Sequence, residues 1–73
     1  MKLLEELRKI QDLTTDTKLK ITFTNGDSVI GKYKGYTDAE DNEPNVSQID
    51  IEANDGTWYG LEETEIFSIE KTT

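Results

Sequence analysis

The chain contains no cysteine and no histidine. Disulfides and zinc sites built from Cys and His are therefore excluded. Long apolar runs are missing as well. The N-terminal stretch MKLLEELRK has only Leu3 and Leu4 before Glu5 and Glu6, so neither a signal-peptide hydrophobic region nor a membrane span is expected. Basic residues are scarce, 8 against 16 acidic ones, for a net charge of −8. Affinity for a phosphate backbone comes largely from Lys and Arg, so this balance disfavours nucleic acid and favours solubility and neutral or basic partners. Cysteine-free composition is compatible with the cytoplasm, the expected location. The parts of a catalytic site are lacking too. None of Ser28, Ser47 and Ser68 sits in a nucleophile motif. Paired carboxylates need a cleft that shelters one of them, and a fold of 73 residues has room for little beyond its own core. No enzyme activity, cofactor or metal is expected.

What the chain does contain is a hairpin, LKITFTNGDSVIGKYKGY, from Leu19 to Tyr36. Leu19, Ile21 and Phe23 alternate with Lys20, Thr22 and Thr24, which predicts a strand with one apolar face. Asn25-Gly26 follows, a strong turn signal because both residues tolerate positive φ. Val29 and Tyr33 then resume the inward face, with Gly31 and Gly35 on the same side. Two glycines on the inner face suggest a strand that curls sharply. Before the hairpin, Leu3, Leu7 and Ile10 predict an amphipathic helix over Met1–Leu13, with Leu4 widening the stripe. A lone helix of this length is marginal in water, so it should dock on the sheet or on another subunit. Its polar face is mixed rather than basic, which argues against a membrane surface.

Thr37–Asn45 reads as a loop, since Pro44 blocks strand pairing. Ser47–Ala53 alternates again, with Ile49, Ile51 and Ala53 inward. Asn54-Asp55-Gly56 is a second tight turn, and Thr57–Leu61 a fourth strand. Glu62–Glu65 is a brief turn or 3₁₀ helix, and Ile66–Glu70 the last strand. The fold class is mainly β: an N-terminal α-helix, residues 1–13, plus a strongly bent five-stranded antiparallel barrel over 18–70, forming a single domain. The expected core is Leu19, Ile21, Phe23, Val29, Tyr33, Ile49, Ile51, Leu61 and Ile66.

These elements resemble the Sm-like (LSm/Hfq) family within the SH3-like barrels, over roughly Leu3 to Ile69. The carriers are the spacing of Asn25-Gly26 and Gly31, Tyr33 at an apolar position, and Asp38 to Asn42 as an Asp-x-x-x-Asn loop. In the family those loop residues help hold RNA bases. Ile66 and Ile69 match the family's closing Ile-x-x-Ile. Where the family carries Arg/Lys-Gly, this chain has Glu62 and Glu63, which puts acid in place of the base of the RNA pocket. It thus looks like a member with a degenerate RNA-binding motif; the segment Asp41-Asn42-Glu43-Pro44 resembles small proteins of Gram-positive bacteria and their phages, and the C-terminal domain of ribosome maturation proteins is similar at this level.

The resemblance leaves two functions. One is a non-catalytic module binding a protein or peptide through an acidic and aromatic surface: Tyr36, Asp38, Glu40, Asp41, Asn42, Glu43 and Trp58. The acidic cluster lacks the glycine and distal Glu of a calcium loop; a solvated loop is the simpler account of it, and core packing the simpler account of the aromatics. Trp58 and Tyr59 are neighbours and should face opposite sides of a strand, with one exposed. The other function is RNA binding, for which Lys18, Lys20, Lys32 and Lys34 on the outer hairpin face are the best support. Acidic residues flanking the last two strands, with the net charge, predict a monomer or dimer rather than a ring.

Overall fold

The structure is a computed structural model that describes residues 2–41 and 45–72, with the side chain of Asp41 not included. A short helix, α1 (Leu3–Arg8), precedes five strands: β1 (Lys18–Phe23), β2 (Ser28–Thr37), β3 (Gln48–Ala53), β4 (Trp58–Glu62) and β5 (Ile66–Lys71). All pairings are antiparallel. The strand order is β4-β3-β2-β1-β5 in one sheet. The sheet bends around a common core but does not close, because β4 and β5 lie at its two edges and are joined only by the 3₁₀ helix Glu63–Glu65.

The core follows the alternation in β1 and β3. Leu19, Ile21, Ile49 and Ile51 are fully buried, joined by Leu61, Ile66 and Ile69. Phe23, Val29 and Tyr33 only flank this cluster. Leu3 and Leu7 of α1 complete it. The helix is much shorter than the predicted Met1–Leu13. It ends at Arg8, and Asp12 takes a left-handed φ of 57° that helical continuation forbids. Ile10 and Leu13 still pack against the core, from turns instead of from a helical face. The docking signal was in the leucine stripe, but the helix boundary was not.

Both hairpins on either side of the central strands use the same turn. Gly26 N–H donates to Phe23 O while Phe23 N–H donates to Asp27 O; Gly56 and Ala53 repeat the pattern with Thr57. These are three-residue loops closed by a glycine at positive φ, 95° and 87°. Asn25 is not in the left-handed region, contrary to the two-residue reading of Asn25-Gly26. Its side chain instead accepts the Asp27 N–H at 2.9 Å, as Asp55 accepts that of Thr57 at 2.9 Å.

Two bulges alter which residues face inward. In β2 the register against β3 shifts between Tyr33 and Gly35. Tyr33 therefore opposes Ile51, Tyr36 opposes Ile49, and Gly35 opposes Asp50. Strict alternation puts Gly35 inside and Tyr36 outside; the extra residue at Lys34 reverses both. In β5 the shift leaves Phe67 without a partner, since Phe23 pairs Ile66 and Thr22 pairs Ser68. That bulge lets Ile66 and Ile69 both reach the core at a spacing of three.

Candidate functional site

The acidic loop and Trp58 are not brought together. Thr37 pairs Gln48, which pairs Glu62, so the loop leaves the sheet beside the end of β4. Trp58 pairs Glu52 at the start of β4, about 13 Å away along the strand. Tyr36 lies on the inner face, packs against the core, and donates its hydroxyl to Ser47 Oγ at 3.1 Å. It is a structural residue first. Asp38 and Glu40 are exposed, Glu40 lying within a 3₁₀ turn over Ala39–Asp41. Asn42, Glu43, Pro44 and the Asp41 side chain lie outside the described residues. Among the described residues no group of three or more potential ligands is arranged to hold a metal ion.

What surrounds Trp58 is different. Its ring is 62% exposed on the outer face, with Lys34 Nζ 5.6 Å from the ring centroid. That is within reach of a cation–π attraction. Lys34 is itself held by Asp16 and, at 3.4 Å, by Glu52. The hydrogen bond to Asp16 keeps the lysine above its ordinary range and the Asp16 carboxyl below its own. Alternation from inward-facing Tyr33 already puts Lys34 on this face. Tyr59 follows on the inner side but is 42% exposed, because β4 is an edge strand. Both aromatics are therefore exposed, where sequence reasoning expected one. Open edge position was the information missing from the alternation pattern.

The β4 edge has a definite polarity. Ala53 N–H donates to Thr57 O, and Glu63 N–H donates to Ser47 O. In an antiparallel ladder the hydrogen-bonded pairs alternate, so Tyr59 and Leu61 turn their backbone groups toward β3. The N–H and C=O groups of Trp58 and Gly60 point outward, and no described residue pairs with them. Gly60 carries the Gln48 carboxamide over it, so close that a Cβ there would clash with Gln48 Nε2. Gln48 in turn donates to Asp50 at 2.8 Å.

Glu62 and Glu63, which replace the basic pair expected from the resemblance, both have structural partners. Glu63 accepts the N–H of Leu3 at 2.9 Å and so caps the first turn of α1. Glu62 and Glu65 form a reciprocal capping box around the 3₁₀ helix. The spacing of Glu62 and Glu65 was a readable signal for that box.

Two of the recesses in the surface lie beside the residues singled out from the sequence. One, of about 540 Å³, lies between α1 and the sheet and includes Leu4, Leu7, Ile10, Leu13, Tyr33 and Tyr36. Burial there pushes the Tyr33 phenol up, with the charge of Asp50 adding to the effect. The other, of about 270 Å³, is flanked by Lys18 and Lys32, which stand directly opposite each other on β1 and β2. No helix among the described residues is long and apolar enough to cross a membrane. Compared with protein-family models, curated proteins and solved structures, the chain matches none.

Proposed function

We propose that the protein is a non-catalytic interaction module of the Sm-like type that binds another protein chain in the cytoplasm, using the open edge of β4 and its aromatics. The observation that carries this reading is the pair Trp58 and Tyr59. Both are exposed on an edge strand that no described element covers. Tryptophan and tyrosine supply large contact area at low entropic cost and are over-represented among residues that dominate binding energy. An unpaired strand edge offers main-chain hydrogen bonds to an incoming extended segment. The net charge of −8 favours a neutral or basic segment, and Asp38 and Glu40 can add long-range attraction from the far end. Each exposed ion pair would contribute only about 0–1 kcal/mol, so the aromatics must supply most of the affinity.

The test is capture of binding proteins by the immobilised chain, comparing wild type with Trp58→Ala and with the double variant Asp38→Ala, Glu40→Ala. Trp58→Ala should weaken binding by at least about tenfold, the double variant by less. A partner retained at full strength by Trp58→Ala removes the β4 edge as the contact surface.

The alternative is an Sm-like RNA-binding protein. Lys18 and Lys32 favour it: like charges directly opposite on a sheet repel and would gain from an anion between them. Sub-micromolar binding of single-stranded RNA in physiological salt, lost in Lys18→Ala with Lys32→Ala, would put this reading in place of the first.

A further inference from the structure

We infer that the partner of the β4 edge is a second copy of the chain, paired antiparallel about a two-fold axis at Tyr59. This rests on the reading of that edge as a contact surface and names its occupant. The outward groups of Trp58 and Gly60 define the register. With Tyr59 opposite its own copy, Trp58 falls opposite the Gly60 of the second copy, and each such pair exchanges both N–H···O=C bonds. No other residue of β4 with a free backbone needs a partner, so the edge is complementary to itself, as a two-fold contact must be.

The side chains agree with this register. On the outer face, Trp58 would stand across from the second copy's Gly60 and rest on the Gln48 carboxamide that already covers that glycine. An aromatic ring across from an edge glycine is a stabilising cross-strand arrangement. On the inner side the two Tyr59 rings meet in a closely spaced, non-hydrogen-bonded pair. Thr57 falls opposite Leu61. The stretch Thr57–Leu61 contains no charged residue, and Glu62 falls opposite Gly56. Net charge alone would select a basic partner, but within Thr57–Leu61 no like charges face each other, and the first acidic pair, Asp55 with the second copy's Glu63, falls beyond the strand in the flanking turns. At physiological ionic strength, charges more than about 8 Å away are largely screened. The opposite edge differs. In β5, Glu70 and Lys71 follow Ile69, and the bulge at Phe67 interrupts the ladder; such features discourage pairing.

Trp58 is the sole tryptophan, so its emission reports on the contact directly. Molar mass by sedimentation should rise from one copy toward two as concentration increases to about 1 mM, where even millimolar self-affinity populates the dimer. The Trp58 emission of the wild type should move to shorter wavelength over the same range. Tyr59→Lys should raise the dissociation constant at least about tenfold while keeping the monomer's circular dichroism. Phe67→Lys, on the other edge, should leave the mass curve unchanged. A six- or seven-copy mass overturns the inference, as does a dimer that survives Tyr59→Lys. A wild type that stays monomeric, while Trp58→Ala still abolishes capture of a foreign protein, removes the second copy and leaves the edge as a contact surface. A monomeric wild type whose captured partners all survive Trp58→Ala removes both.

Discussion

The glycines of β2 look alike in the sequence and do different things. At Gly31 a Cβ would stand 2.8 Å from the Glu52 carbonyl oxygen, a backbone atom that can move only if the strands part. At Gly35 a Cβ would meet nothing within 4 Å. Gly31→Ala should therefore destabilise the protein by about 1–3 kcal/mol, the usual range for overpacking. Gly35→Ala should be neutral or stabilising by up to about 1 kcal/mol, because alanine restricts the unfolded chain and the native φ there is not left-handed. Urea midpoints of the two variants check this; equal losses would mean that close approach is not what Gly31 serves. The sequence signalled that β2 curls, through two glycines four apart. It did not reveal which glycine was steric, because that depends on how closely β3 comes.

At the scale of elements, the regular alternations of Leu19–Phe23 and Gln48–Ala53 could be read with confidence into faces, since a buried strand pins its own parity. Parity failed where a bulge intervened. Tyr36 was placed in the candidate contact surface, and the extra residue at Lys34 put it inside. Ile69, which alternation from Ile66 puts outside, was brought into the core by the same device in β5. Nothing in composition marks a bulge except a glycine such as Gly35, and that glycine had a plausible reading as a bend. The expected grouping of Tyr36 with Trp58 did not follow: Tyr36 packs inward, and the neighbours of Trp58 are Lys34 and Glu52 on the outer face of β2 and β3. The helix offers the clearest test at this scale. Six residues cannot sustain a helix alone, so α1 depends on its buried leucines and on the Glu63 cap. Glu63→Ala should cost about 0.5–2 kcal/mol and speed amide exchange in Leu3–Arg8 ahead of the sheet. Glu63→Gln, which keeps an acceptor oxygen, should recover part of the loss. Uniform exchange across helix and sheet would show that the cap does not hold α1 separately.

For the molecule as a whole, a charge of −8 on 73 residues is a standing repulsion. The exposed ion pairs, Lys9 with Glu6 and Lys34 with Asp16, offset little of it. Raising ionic strength from about 0.01 to about 1 M shortens the screening length from about 30 to about 3 Å. The melting temperature should rise with sodium chloride, by about 4–8 °C for each kcal/mol of repulsion removed. A fall would mean that the attractive pairs outweigh the net charge. The cap on α1 has a further consequence, in time rather than in energy. Glu63 stands 60 positions after the Leu3 whose N–H it accepts, and Lys71 donates to the Gln11 carbonyl across the same interval. Chain synthesis runs from the N-terminus, so α1 emerges before the sheet and waits for its anchor until β1–β4 have been made. The meander from β1 to β4 can zip hairpin by hairpin as it appears. The first strand's other partner is the last strand. α1 and β1 are therefore completed only by Glu63 and β5, and a chain stalled on the ribosome before β5 would display an unguarded apolar face.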